Sequence, residues 1–328
     1  MDFDSLFKSF SSVKVGVIGD VMLDTYWWGH VERISPEAPV PVVTLDKREL
    51  RIGGAGNVAL NLVSLGAPTS IFSVMGEDEP GKQLDQMLQE SGIDTSYIIC
   101  SHTRKTTNKT RIISRNQQMM RLDSETIDDL VKEAEDALLE RVSDYIKKEK
   151  PSVIIFEDYN KGVLTERLIR EVIALCKQHS VLTAVDPKRK NFFCYKDVTI
   201  FKPNLKEVKE GLNLLLEDVN VASLNAIHAQ LKELLNHEIS FITLSEKGVF
   251  YENDERSGII PTHIRNIADV SGAGDTVIAV ASLLYAATKD VQLMSEVANI
   301  AGGLVCEEVG TVAINKNKLL QECKLLVK

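Results

Sequence analysis

The sequence predicts an α/β fold in three layers: a mostly parallel central sheet flanked by helices, with a small β-sheet lid beside it. Three patterns predict it. Short apolar runs rich in Val and Ile recur along the chain, helical patterns separate them, and two stretches replace that rhythm with alternating polar and apolar residues. Continuous apolar strands that alternate with helices are covered on both faces, as in a parallel sheet.

Val13–Ile18 reads as the first buried strand. Thr69–Val74, Val153–Phe156, Val181–Val185, Val198–Phe201 and Ile239–Leu244 supply the others. Helical patterns fill the intervals at Asn57–Leu65, Gly81–Ser91, Ile127–Lys148, Glu166–His179, Leu224–Leu235 and Gly274–Ala287. Residues 26–52 carry three prolines and strand-like pieces such as Val40–Leu45, and residues 101–122 alternate polar with apolar side chains. Both have the pattern of antiparallel strands with one wetter face, so they are expected to join as a small β subdomain. A lid is the functional reading, and a decorative β-hairpin the structural one. No repeat or long linker interrupts the chain, and a single domain over residues 1–328 is expected.

At 44% hydrophobic and 26% charged residues, the composition excludes disordered, collagenous and low-complexity classes. The 38 basic and 47 acidic residues leave a net charge of −9, which argues against a nucleic-acid or anionic-membrane binder. Five cysteines (100, 176, 194, 306, 323) without a CxxC pair give no disulfide framework or zinc site and suggest a reducing compartment. The acidic start MDFDSLFKSFSS lacks the basic region of a signal peptide. The longest apolar stretch, Val277–Ala287, is short of the ~20 residues of a membrane span. A cytoplasmic protein is expected, with neither nucleic acid nor membrane as partner.

Three glycine-rich sites compete for function. Residues 54–59 within Gly53-Gly54-Ala55-Gly56-Asn57 match GxGxxA, the relaxed dinucleotide fingerprint, but lie some thirty residues beyond the first strand. Glycines chosen for a tight turn into a helix explain them equally. Gly76–Gln83 has P-loop spacing, yet Gln83 stands where a hydroxyl should meet magnesium, and Glu77, Asp78 and Glu79 would repel a triphosphate. It is rejected. Asp269-Val270-Ser271-Gly272-Ala273-Gly274-Asp275 leads straight into an apolar helix. There the backbone N–H groups of Gly272, Ala273 and Gly274 can converge on an anion, helped by the helix dipole. Asp275, in the first turn, is placed to accept a hydroxyl proton beside that anion hole. A helix N-cap with an acidic first turn accounts for the same residues.

Together these residues resemble the ribokinase-like (PfkB) carbohydrate kinase family, from about Val13 to Thr311. That family has an early Gly-Gly motif and a late Asp-x-x-Gly-Ala-Gly-Asp motif; the one departure is Val270, where many members have Thr. Gly19–Asp24, Arg33–Val42, Ser114–Gln118, Asp158–Gly162 and Asp186–Lys188 resemble the branch of D-glycero-β-D-manno-heptose 7-phosphate kinases. The chain lacks the His-x-Gly-His signature of a fused nucleotidyltransferase and ends at Lys328, which resembles the stand-alone form.

The resemblance implies transfer of the ATP γ-phosphate to the anomeric hydroxyl of heptose 7-phosphate, giving the 1,7-bisphosphate on the way to ADP-heptose for lipopolysaccharide core or another surface glycan. Asp275 is the expected base. Asp20 and Asp24 follow the first strand at its carboxyl end, where open α/β sheets bind ligands, and are expected with Asn57 on the sugar hydroxyls. Gly53 and Gly54 would let the ring approach, and Asp158 is placed with the substrate residues. Lys109, Arg111 and Arg115 have odd numbers, so one face of an extended strand would present them to the 7-phosphate. A solvated edge strand with protective charges explains them too. Arg104 and Lys105 are weaker candidates.

For ATP, the resemblance maps Lys202–Glu207 onto an Asn-x-x-Glu element, with Asn204 and Glu207 organising phosphates and Mg2+ through water. A charged helix start explains those residues as well. Ser245, Lys247 and Gly248 would form the nucleotide loop, Asn299 and Gly303 would flank adenine, and Lys188 is a candidate for the phosphates. A homodimer through the lid is implied. Rival readings are a kinase for another sugar or phosphosugar, an NAD-dependent oxidoreductase built on residues 54–59, and a silent sugar-binding regulator. The oxidoreductase reading leaves Gly272–Asp275 unexplained.

Overall fold

The computed structural model describes residues 2–115, 117–216 and 218–327. After helix α1 (Phe3–Ser9), strand β1 (Val15–Gly19) runs into a long hairpin, β2 (Val21–Ile34) and β3 (Pro41–Gly54), which returns into α2 (Ala55–Leu65). Next come β4 (Thr69–Phe72), β5 (Val74–Gly76), α3 (Glu79–Glu90), β6 (Ile99–Ser101) and a second hairpin, β7 (Thr107–Ser114) and β8 (Gln117–Ser124). The chain continues through α4 (Lys132–Glu149), β9 (Val153–Glu157), α5 (Glu166–Gln178), β10 (Leu182–Asp186), β11 (Ile200–Phe201), α6 (Leu205–Gly211) and α7 (Val221–Leu235). It closes with β12 (Ile239–Thr243), β13 (Val249–Glu252), β14 (Ser257–Ile260), α8 (Ala273–Thr288), α9 (Val291–Val305) and α10 (Lys316–Leu326).

Among the described residues the main sheet has the order β14-β13-β12-β11-β10-β9-β1-β4, parallel from β4 to β12 and antiparallel at the β13–β14 edge. Side chains alternate across each strand. Val153 and Ile155 of β9 enter a core shared with α2, α8 and α9, while Ile154 and Phe156 enter one shared with α4, α5 and α7. Both faces are therefore dry, which is why these strands read as unbroken apolar runs.

The parallel strands finish in register at one edge. Gly19 pairs with Glu157, and Glu157 with Asp186. The residues that follow, Asp20, Asp158 and Lys202, emerge along that edge, and α2 and α8 aim their N-termini at it. Position alone makes it the place for chemistry.

The two irregular stretches do form one four-stranded sheet, in the order β3-β2-β7-β8. It differs from the expected purely antiparallel sheet because β2 and β7 pair parallel. Each is the outgoing strand of its own hairpin, and the two leave the body side by side in one direction. The predicted helix from Ile127 begins only at Lys132, since Leu130 N–H is spent on Gly162 O (3.1 Å). Thr69–Val74 is divided: β4 stays in the main sheet, and β5 pairs with β6 instead. Helices α1, α6, α9 and α10 and strands β13 and β14 add to the elements the periodicity suggested.

Candidate active site

Helix α8 is capped by Gly272 in the left-handed region, at φ +76°. A Cβ there would come within 2.7 Å of the Asn57 amide nitrogen, so glycine is required on both counts. Asp269 holds the preceding turn: Oδ1 accepts from Ser271 N (3.0 Å) and Ser271 Oγ (2.9 Å), and Oδ2 from Gly310 N (2.9 Å). Burial raises the pKa of Asp269, but these donors outweigh it and hold the carboxyl below the usual range. Of the three expected anion-hole amides, Ala273 N–H is turned into the chain, toward Val270 O at 3.3 Å. Gly274 and Asp275 N–H have no acceptor among the described residues. The dipole of a 16-residue helix reinforces them.

Asp275 is only 3% exposed and both its oxygens are engaged. Asn57 Nδ2 donates to Oδ2 and Tyr159 OH to Oδ1, each at 2.7 Å. Burial, with the charge of Asp186, outweighs those two bonds and pushes its pKa up to about 6. Asn57 is braced in turn by Asn61, which donates to Asn57 O (2.8 Å) and accepts from Thr276 Oγ1 (3.1 Å) and Ile314 N (2.9 Å).

A second row of charges lies beside Asp275. Lys202 Nζ is 2.7 Å from Asp186 Oδ2, and Lys188 Nζ lies 3.3 Å from Asp186 Oδ1 and 2.7 Å from Glu207 Oε1. Burial raises the pKa of Asp186, but the two lysines overcome it and hold the carboxyl low. Glu157 is fully buried with neither carboxyl oxygen bonded in the described structure. Burial, then the charges of Asp186 and Asp275, push its pKa far up.

On the expected sugar side, Asp20 is buried, and its carboxylate accepts from Tyr159 N (2.9 Å), Lys161 N (3.0 Å) and Val163 N (3.1 Å). It orders the 159–163 loop, and three of its roughly four acceptor positions are taken. Asp24 binds Arg111 Nη1 at 2.5 Å. Gly53 lies against Asp24, and Gly54 at φ +59° caps α2 over Asp20 O, so the glycine pair joins the lid to the body. The GxGxxA match thus sits where β3 meets α2, away from the turn after β1, and the dinucleotide reading falls. Asp158 accepts from Tyr195 OH (2.7 Å), Asn191 Nδ2 (3.1 Å) and Asn160 N (2.8 Å). Burial takes its pKa to about 6.

The three expected phosphate cations separate. Lys109 is half-buried, has no carboxylate within 4.0 Å among the described residues, and lies 5.5 Å from the centre of the Tyr159 ring. Burial pulls its pKa down. Arg111, besides Asp24, stacks on Tyr26 at 5.1 Å. Arg115 stands outside the strand, exposed at φ +48° in the turn after β7, because the strand ends at Ser114. Asn116, in the same string, lies outside the described residues. Arg51 of β3 stacks on Tyr26 at 5.0 Å and donates to the carbonyls of Val309 and Thr311.

On the expected nucleotide side, Asn204 and Glu207 form a capping box on α6: Glu207 N donates to Asn204 Oδ1 and Asn204 N to Glu207 Oε2, both at 2.8 Å. Lys188 ties this box to Asp186. Ser245 and Lys247 lie on an exposed 3₁₀ turn that ends at Gly248, and Thr243, just before it, pairs with Asn204. Asn299 donates to Pro261 O (2.9 Å). Gly303 lies under Arg265, whose guanidinium binds Glu307 (2.9 Å) and Glu322 (2.6 Å). Two polar clusters thus lie side by side, Asp275 with Asn57 and Tyr159, and Asn204 and Glu207 with Lys188, Asp186 and Lys202, with Lys188 Nζ 5.6 Å from the centre of the Tyr159 ring, while Ser245–Gly248, Asn299 and Gly303 gather around residues 260–265. Tyr159, Asp186 and Lys202 belong to these clusters and Glu157 pairs with Asp186 in the sheet, but none of the four had a role assigned from sequence.

Residues 13–318 match the family described as pfkB family carbohydrate kinase. The chain is 41% identical over 307 residues to the bifunctional protein HldE of Aliarcobacter butzleri, covering 93% of this chain and 63% of that one. It is 38% identical over 320 residues to the HldE of Geobacter sulfurreducens, with 97% and 64% covered. It therefore spans less than two thirds of the length of these relatives. Phosphofructokinase-2 from Escherichia coli, solved with potassium, superposes with a TM-score of 0.80 at 15% identity over 96% of this chain and all of that one. Arabidopsis thaliana ribokinase, solved with ribose and ATP, gives 0.74 at 16% identity over 94% and 99%. At such identities the likeness is one of fold, and the fold is ribokinase-like.

Proposed function

The chain belongs to the pfkB family of carbohydrate kinases, and from that premise we propose that it transfers the γ-phosphate of ATP to the anomeric hydroxyl of D-glycero-β-D-manno-heptose 7-phosphate. The product is the 1,7-bisphosphate, an intermediate on the route to ADP-heptose for a surface glycan. The proposal concerns the kinase step alone. The observation that carries it is the buried Asp275 carboxylate in the first turn of α8, beside the backbone donors of Gly274 and Asp275, which lack acceptors among the described residues.

The acceptor hydroxyl approaches Asp275, whose oxygens each keep a second lone-pair direction beyond the bonds to Asn57 and Tyr159. As the oxygen–phosphorus bond forms, the hydroxyl proton passes to Asp275. The amides of Gly274 and Asp275 face the equatorial oxygens of the migrating group. Lys202, near the Gly274 backbone, adds positive charge. The transition state is loose, so positioning and electrostatics supply most of the acceleration. Of Lys109 and Arg111, Lys109 is the one offered to the 7-phosphate, because Arg111 is already paired with Asp24.

The donor set suits magnesium that keeps part of its water shell. Glu157 has two buried, unbonded oxygens next to Asp186, whereas Glu207 already serves Lys188 and Asn204 N–H. No group of three acidic, His or Cys side chains forms a ready cage among the described residues. Mg2+ arriving with ATP would neutralise β- and γ-phosphate charge beside Asp186 and Glu157, with Glu207 acting through water.

The lid exposes Ile34, Leu45, Met120 and Leu122. Apolar surface of this kind supports a homodimer formed through the lid. No described helix is long and apolar enough to cross a membrane, and a cytoplasmic site of action is proposed.

The test is ADP release with heptose 7-phosphate, fructose 6-phosphate and ribose in parallel. Preference for the heptose by at least tenfold in kcat/KM is expected, and equal or better turnover of another sugar would reassign the substrate.

A further inference from the structure

We propose that Tyr159 is a positioning residue for Asp275: its hydroxyl fixes the carboxylate in the orientation that presents one oxygen to the acceptor. The inference rests on Asp275 being the base, and it gives a function to a residue which that reading leaves idle.

Three observations carry it. First, Asp275 receives one donor on each oxygen, Tyr159 OH on Oδ1 and Asn57 Nδ2 on Oδ2, both at 2.7 Å. A single donor lets a carboxylate swing about its last torsion, which is soft. Two donors from opposite elements, α2 and the loop after β9, fix it. Second, the phenol is held from behind. Tyr159 N–H, Lys161 N–H and Val163 N–H converge on the buried Asp20 carboxylate, so the loop has one geometry before any ligand arrives. Third, the ring lies between the two halves of the site. Lys109 Nζ, from the lid, is 5.5 Å from its centre, and Lys188 Nζ, bonded to Asp186 and Glu207, is 5.6 Å from it.

Phenylalanine would satisfy the packing and both lysine contacts, so the hydroxyl is what needs explaining. Among the described residues its partner is Asp275 Oδ1. A phenol facing a carboxylate oxygen can only donate to it, so Tyr159 acts here as a donor. It keeps its proton throughout. The proton that moves is the acceptor's, and it goes to a lone pair of Asp275 that the phenol does not occupy. A donor to the charged form also keeps Asp275 ionised against its surroundings, which are Glu157 at the end of β9, Asp186 at the end of β10, Lys188 after it, and Lys202 after β11.

The experiment compares the full chain with its Tyr159→Phe variant by carboxyl 13C NMR titration of Asp275, assigned with Asp275→Asn and run without substrate. Loss of one bond to the charged form should raise the Asp275 midpoint by about one unit. The acid limb of kcat/KM should move up equally, with kcat down about 10-fold to 100-fold and both KM values within about twofold. An unmoved midpoint and acid limb overturn the inference, as does an activity loss that merely follows lost thermal stability. If Tyr159→Phe fails to fold, 3,5-difluorotyrosine placed at 159 strengthens the same donor. The midpoint must then fall, and an unchanged value is again fatal. Because the NMR titration needs no sugar, absence of turnover with every sugar tested would defeat the kinase substrate reading and leave this one to be decided separately.

Discussion

Lys202 and Asp186 form an ion pair at 2.7 Å from which water is almost excluded, their side chains being 2% and 7% exposed. Removing one partner of such a pair strands the other charge, which costs more than the pair itself contributes. Lys202→Met should therefore destabilise the protein by about 3 kcal/mol in urea unfolding, and Lys202→Met with Asp186→Leu should recover much of the loss. The folded pKa of Asp186 is lowered, so its contribution is present above the unfolded value near 3.8 and lost as pH falls below it. An unchanged midpoint in the single variant would contradict this picture.

Asp275→Asn should lower kcat by ~10²–10⁴ while ATP still protects the fold against heat. The structure adds a stability expectation of opposite sign. A carboxyl whose folded pKa is raised to about 6 from 3.8 costs stability that builds as pH rises through that interval and is complete above about pH 6. At pH 8 the amide variant should be more stable than the parent by about 1 kcal/mol. Calorimetry near pH 3.5 and at pH 8 checks it, and the gain should disappear at the lower pH, below the unfolded value of 3.8.

Gly272→Ala places a methyl group against Asn57 at a backbone angle that L-residues avoid. About 1–2 kcal/mol of destabilisation is expected, together with a fall in kcat larger than that of Gly303→Ala. Equal kinetics in the two variants would count against Gly272 as the organiser of the turn.

Lys109 and Arg115 were equivalent in the sequence and are not equivalent in space. Lys109→Met should raise KM for the phosphosugar about 10-fold to 100-fold, as expected for losing a charged hydrogen bond. Arg115→Met should change it less than threefold. The reverse ranking in steady-state kinetics would move the phosphate site to the lid tip.

His228 and His237 share Ser240 Oγ at 2.8 and 2.6 Å inside the core beyond β12. Burial lowers both pKa values, that of His237 to about 3. Their stabilising effect is complete above the unfolded value near 6.5 and is lost as pH falls toward the folded one. Unfolding free energy should decline between pH 6 and 4, and His237→Gln should flatten that slope.

Much of the fold was legible because both sheet faces are buried: β1, β9, β10 and β12 appear in the sequence as apolar runs with their ends within a residue or two. The lid was legible as a change of period, but its parallel β2–β7 pairing was not, since pairing direction depends on which hairpins lie side by side. At the site, Asp275 and Gly272 announce themselves as a motif. Glu157, Asp186 and Lys202 do not: the strings around Asp186 and Lys202 carry a resemblance, but no role attaches to these single charged residues. Yet each stands one position beyond a predicted strand, Val153–Phe156, Val181–Val185 or Val198–Phe201, so the end of a parallel strand is the signal that would have found them. Asp20 obeys that rule and still proves to hold a loop, because three converging amides are a tertiary fact.

Arg51 reaches from the lid to the carbonyls of Val309 and Thr311, and between them Gly310 N–H is held by Asp269, which also holds Ser271. Roof and floor of the cleft are thereby geared together. Strand β3 cannot lift without releasing those carbonyls or dragging the turn before α8 along, so the position of the small sheet and the geometry of that turn are tied to each other. Arg51→Ala would disengage the gear, and faster hydrogen exchange at Gly310 would be its trace.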